Sequence, residues 1–196
     1  NLGAIVLHAW NARAKDPARP DWIILDLDPK DAPFAHVIEL ARAAKALCDE
    51  IALPAYAKTS GSSGLHVLIP TGGLLTHDQC KTFAELLARV LVSRHEAIAT
   101  VVRIPAHRGG KVYIDFLQNG HGKLLVAPFS VRPLPGAPVS MPLLWDEVRE
   151  GLTPRQFHIR NAVPRLQSIG RDPLAGVLSE RPDLLAALEK LGSRLG

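Results

Sequence analysis

The stretch Trp22-Ile23-Ile24-Leu25-Asp26-Leu27-Asp28-Pro29 decides how the rest of the chain is read. It is a short apolar run, entered from a polar loop holding Pro17 and Pro20 and closed by Asp28-Pro29-Lys30-Asp31, and these bounds predict a buried central strand. Side chains two apart on a strand share a face, so Asp26 and Asp28 project together from its end. Pro29 ends the hydrogen-bond ladder and sets the pair at the sheet's margin, where a ligand can enter. Carboxylates that close call for a cation; the plain alternative is a strand-end pair facing solvent. Asp115, in the strand-like run Lys111-Val112-Tyr113-Ile114-Asp115-Phe116-Leu117, favours a site. Three carboxylates meeting across neighbouring strands can hold two oxygen-liking ions about 3.5–4 Å apart, the spacing of in-line phosphoryl displacement.

Outward from this strand, Ala4 to Leu7 reads as an opening strand and His36 to Glu50 as a helix, with Val37, Leu40, Ala41, Ala44, Leu47 and Cys48 on one face. Tyr56 to Thr59 and Leu65 to Ile69 form a hairpin around the tip Ser60-Gly61-Ser62-Ser63-Gly64. Thr76 can cap a helix running to about Ala97, with Cys80, Phe83, Leu87, Val90 and Leu91 buried. Val101 to Ile104 suits a further strand, Leu134 to Pro142 an extended loop, Thr153-Pro154 the start of a short helix, and Arg181 to Leu191 a last amphipathic helix. The pattern is α+β, and 196 residues suffice for a substantial core.

Composition narrows the class. With 47% hydrophobic and 21% charged residues the chain is an ordinary globular one, so disorder and fibre are excluded. No apolar run approaches the roughly 18 residues of a membrane span and no signal sequence opens the chain, which leads us to expect a cytoplasmic protein without a membrane partner. A net charge of +4 suits an anionic partner. Cys48 and Cys80 lack a CxxC pattern, so no zinc site is expected and both suit a core.

A second constellation is Lys58-Thr59-Ser60-Gly61-Ser62-Ser63-Gly64-Leu65-His66. Its small tip lets backbone N–H groups approach phosphate oxygens, with Ser60 donating its hydroxyl and His66 or Lys58 supplying charge; as a bare pattern it is also a common turn. Arg108 precedes the Asp115 strand and Arg132 follows it within a largely apolar stretch, where a triphosphate is a plausible partner for an otherwise costly guanidinium.

These residues resemble the polymerase domain of bacterial DNA ligase D, within the archaeo-eukaryotic primase superfamily. The resemblance rests on Leu2-Gly3 with His8-Ala9-Trp10, on Asp21-Trp22 leading to Asp26-Leu27-Asp28-Pro29, and on Lys58-Thr59-Ser60-Gly61 with Gly64-Leu65-His66. Tyr113-Ile114-Asp115 with Gln118-Asn119 and Ala127-Pro128-Phe129-Ser130-Val131-Arg132 complete it, in family order from residue 2 to about 160. It implies a primase-like catalytic core over 1–160 with a C-terminal helical extension of the same domain over 161–196, built on a central, mostly antiparallel sheet with flanking helices. It also implies that Asp26, Asp28 and Asp115 hold two Mn²⁺ or Mg²⁺ ions, that Ser60, His66, Arg108 and Arg132 bind a nucleoside triphosphate, and that His8 and Gln118 lie near sugar or base. The implied activity is templated and terminal addition of nucleotides, ribonucleotides preferred, to DNA 3′ ends in non-homologous end joining. The implied partners are Ku and associated ligase and phosphoesterase domains, in the bacterial cytoplasm at the nucleoid.

Two departures stand out. Ser63 occupies a hairpin position where the family commonly has lysine, and the resemblance leads us to expect that a preceding part of the family domain, which engages the 5′-phosphate of DNA, lies outside this segment. Two rivals remain: a DNA-end-binding module without catalysis, and a phosphatase of the haloacid-dehalogenase type. The second expects Thr or Val soon after the second Asp and a helix-flanked parallel sheet.

Overall fold

In the computed structural model, residues 3–192 are described. Leu2 of the resemblance and the end of the 161–196 segment lie outside them. A six-stranded sheet runs in the order β5-β6-β2-β4-β3-β8, comprising Ala99–Thr100, Val112–Asp115, Trp22–Asp28, Leu65–Pro70, Tyr56–Thr59 and Pro142–Leu143. Every neighbouring pair is antiparallel except β5 with β6. A two-stranded ribbon joins β1 (His8–Ala9) to β7 (Leu125–Val126). The α-helices among the described residues are α1 (Phe34–Glu50), α2 (His77–Arg94), α3 (Ala162–Ile169) and α4 (Leu184–Gly192).

Alternation along β2 explains where the site lies. Ile23, Leu25 and Leu27 are fully buried in the main core with the apolar faces of α1 and α2. The other face carries Trp22, Ile24, Asp26 and Asp28. Its first half is covered, because Ile24 and Leu68 pack with Leu174 and Val177 of the segment after α3. Its second half, with the two aspartates, has no such apolar lid.

β6 pairs with β2 only from Asp26 to Asp28 and stops at Asp115, because Phe116 turns helical and the Leu117 N–H bonds back to Asp115 Oδ1 at 2.9 Å. The strand reading that continued to Leu117 is thereby shortened. Beyond that point Asn119, fully buried, stands in for the missing neighbour: it accepts from Ile24 N–H and donates to Ile24 C=O, both at 2.8 Å.

Other expectations shift for local reasons. The first strand is His8–Ala9, not Ala4 to Leu7. Thr76 does cap α2, in a reciprocal box with Gln79, but the helix ends at Arg94, where His95 leaves helical geometry and closes on the Leu91 and Val92 carbonyls. Val101 to Ile104 is not a strand; pairing is limited to Ala99–Thr100, and Thr100 Oγ1 takes the Val102 N–H. Thr153-Pro154 opens a turn only, and the helix in this region is α3. The last helix begins at Leu184, with Asp183 Oδ1 accepting the Ala186 N–H at its start. Cys48 and Cys80 are buried thiols, each pushed up to about 12 chiefly by desolvation.

Replacing Asn119 by Ala orphans two buried backbone groups of β2 at once. It is expected to cost roughly 2–4 kcal/mol in urea unfolding, a loss well beyond that of an exposed-site control such as Lys123→Ala.

Candidate active site

One row of side chains crosses four strands. Asp115 of β6 lies directly opposite Asp26 of β2, Asp26 opposite His66 of β4, and His66 opposite Lys58 of β3. Residues so paired share a face. Asp28 sits on that face two residues beyond Asp26. A cleft of about 340 Å³ opens above the row, lined by Asp26, Asp28, Asp115, His66 and Ser60, with His8, Gln118 and Arg132 at its walls. Eight of the ten residues singled out from sequence therefore meet in one cleft.

The two exceptions have definite places. Lys58 is wholly buried at the β3 end of the row, its ammonium donating to Ser140 Oγ at 2.6 Å. Arg108 stands behind Asp28, pairing with its Oδ2 at 2.9 Å, donating to the carbonyls of Val102 and Arg103, and stacking on Tyr113 with 4.4 Å to the ring centre.

Asp26 bears the electrostatic burden. Desolvation, then repulsion from Asp115 and from Asp28, push its carboxyl up from 3.8 to about 7, against a smaller lowering by Lys58. Burial lowers Lys58, and burial with the nearby Lys58 and Arg132 charges holds His66 well below its usual range, so the imidazole is neutral. His66 Nε2 lies 3.5 Å from Asp26 Oδ1, and its Nδ1 is buried without a partner.

The carboxylates share a face in register, and an all-oxygen donor set suits hard divalent cations. As the side chains stand, though, no three ligating groups among the described residues are gathered around one point. Asp28 is turned to Arg108, and Asp115 is held by Tyr113 Oη at 3.1 Å, Leu117 N–H and Gln118 Nε2. The three carboxylates thus share a face without converging on one point.

The hairpin tip differs in detail from the sequence reading. The N–H groups of Ser62, Ser63 and Gly64 all point to Ser60 Oγ, at 3.0–3.2 Å, so they brace the turn and Ser60 keeps its own hydroxyl proton to donate. Gly64 packs on β2: an added Cβ would lie 2.1 Å from the Leu27 carbonyl oxygen. Gly61, at φ +70°, lies over the Arg132 side chain.

Thr59 and Ser140, not singled out from sequence, form a buried lock. Thr59 Oγ1 donates to Val139 C=O and accepts from Met141 N–H, while Ser140 Oγ bridges Lys58 and the Thr59 carbonyl. It fastens an arm folded back on itself from Phe129 to Ser140, which carries Arg132 to the cleft with its buried Nε unpaired. A hint lay in Ser140, a lone polar residue in the apolar run Pro138-Val139-Ser140-Met141-Pro142.

The fold agrees with comparisons to known proteins. The family model described as "LigD, primase-polymerase domain" matches residues 1–174. A multifunctional non-homologous end joining protein LigD of Pseudomonas aeruginosa is 35% identical over 96% of this chain, and a bifunctional LigD of Bacillus subtilis 32% over 78%. The polymerase domain of Mycobacterium tuberculosis ligase D, solved in complex with DNA, superposes with a TM-score of 0.76 at 30% identity over 84% of this chain. The chain belongs to the LigD primase-polymerase domain family. It spans 57% of that solved domain, and 23% and 25% of the two LigD proteins.

Because Asp26 is raised, the folded state favours its protonated form: the stability it contributes is complete below about pH 4 and lost as pH rises through about 7. In metal-free buffer Asp26→Asn should therefore raise the melting temperature relative to wild type near pH 8. That gain should largely vanish near pH 4. Separately, Gly64→Ala should lower the melting temperature at any pH, since the methyl meets backbone and not a movable side chain.

Proposed function

We propose that this chain is the catalytic core of a primase-type nucleotidyltransferase that adds nucleotides to DNA 3′ ends. The observation that carries the reading is the in-register row of Asp115, Asp26 and His66 with Asp28 beside it, open to a cleft that also holds Ser60 and Arg132. Asp26, Asp28 and Asp115 would hold two Mg²⁺ or Mn²⁺ ions. When bound, these would make the primer hydroxyl more acidic and neutralise charge on the leaving pyrophosphate.

The chain's own residues do the positioning. Arg132, with an unpaired buried Nε, offers a guanidinium to the phosphates, and Ser60 offers its hydroxyl beside it. Neutral His66 flanks Asp26 without adding a proton donor of low pKa. Gln118 bonds Asp115 and can turn, with His8 across the cleft, toward sugar or base. Arg108 counters the charge of Asp28 from outside the cleft. By the same reading the domain works in non-homologous end joining beside ligase and phosphoesterase domains, with Ku as partner. It is proposed to prefer ribonucleotides, and the net charge of +4 suits DNA.

The phosphatase alternative is disfavoured because β2 has antiparallel neighbours on both sides, where that reading needs a parallel sheet. The end-binding module is separated by experiment. In primer extension by the full-length parent protein with Mn²⁺, comparing NTP with dNTP, Asp26→Ala, Asp28→Ala and Asp115→Ala should each lose about a hundredfold or more of activity. DNA affinity in a gel-shift assay should be nearly unchanged. Full activity in any of the three sinks the two-ion assignment.

A further inference from the structure

The hairpin tip carries no charge of its own, and three of its N–H groups are spent on Ser60 Oγ. Yet two guanidinium groups approach it. Arg132 passes beneath Gly61, with its Cγ 2.8 Å from where a glycine Cβ would stand. Arg155 reaches it too, its Nε 3.3 Å from the Ser62 carbonyl oxygen.

Arg155 is not a stray surface residue. It sits in the turn Thr153 to Gln156, closed by Gln156 N–H to Thr153 C=O at 3.2 Å and by Thr153 N–H to the Gln156 side chain at 3.3 Å. Two residues on, Phe157 is buried and its carbonyl accepts the Val139 N–H at 2.9 Å. Val139 in turn accepts from Thr59. The Arg155 backbone is thus tied to the same locked arm that carries Arg132, so both reach the tip from one rigid support. The side chain itself is exposed, and a single long bond to a carbonyl leaves most of its five N–H donors for another acceptor.

We propose that Arg155 is a second phosphate-contacting guanidinium, closing on the outer phosphates of a nucleoside triphosphate seated between the tip and the carboxylate row. The proposal rests on the nucleotide reading above. A planar fork matches two phosphate oxygens at once, which a neutral Ser62-Ser63 tip cannot do. Arg155 thereby supplies the positive charge at the tip that Ser63 does not.

The test is calorimetry on the intact protein with Mn²⁺ and ATP or AMP, for wild type, Arg155→Ala, Arg155→Lys and Arg132→Ala. Arg155→Ala should weaken ATP about tenfold and leave AMP unchanged, with Arg155→Lys recovering part of the loss. Because the side chain is exposed, melting curves should superimpose. If Arg155→Ala leaves ATP unchanged, or weakens ATP and AMP alike, while Arg132→Ala still weakens ATP, Arg155 is only a staple on the Ser62 carbonyl; this assignment then falls and the nucleotide site stands. A wild-type protein that binds no ATP overturns both.

Discussion

The pairing of Asp26 with two partners at once, Asp115 on one neighbouring strand and His66 on the other, is the constraint on which the rest of the molecule depends. Strand side chains alternate, so a slip of one residue on either side would send a carboxylate or the imidazole to the helical face. Several devices hold this register. The apolar set Ile23, Leu25 and Leu27 commits one face of β2 to α1 and α2. Asn119 completes the ladder where β6 gives out. The short tip from Ser60 to Gly64 fixes β3 against β4.

Charge is distributed unevenly over this frame. Asp28 and Asp115 are each satisfied by neighbours, the first by Arg108 and the second by Tyr113, Leu117 and Gln118. Asp26 is left with a neutral imidazole and, one strand further, a buried lysine, and its raised pKa measures the mismatch. A carboxyl so placed costs folding free energy when ionised, a mismatch often found where a fold has been shaped for function and not for stability alone. The Lys58-Thr59-Ser140 lock is the opposite case: a polar cluster with its partners in place, which makes rigid the arm that brings Arg132 to the cleft.

Much of this was legible in the sequence because it follows from periodicity. The β2 strand, both long helices, the β3–β4 hairpin and the shared face of Asp26 and Asp28 come from alternation, helical spacing and Gly/Ser punctuation. Register was not legible, since no local signal says which residue of β6 lies opposite Asp26. Short strands were misread for a related reason: Ala4 to Leu7 and Val101 to Ile104 have the composition of strands, but pairing depends on distant partners that only the tertiary fold brings near. Lys58 and Arg108 look alike on paper, as cations beside motif residues, yet one is sealed at the end of the row by Ser140 and the other backs Asp28. Burial and partner choice are decided by packing, and packing has no local code.

The contact between Gly64 and the Leu27 carbonyl bears on how the molecule moves. Leu27 is the residue between the two aspartates, and Gly64 closes the tip that faces the cleft. With no side chain between them there is no slack, so the tip and the strand end behave as one lever. Any displacement of the hairpin tip is delivered directly to the peptide units that aim Asp26 and Asp28.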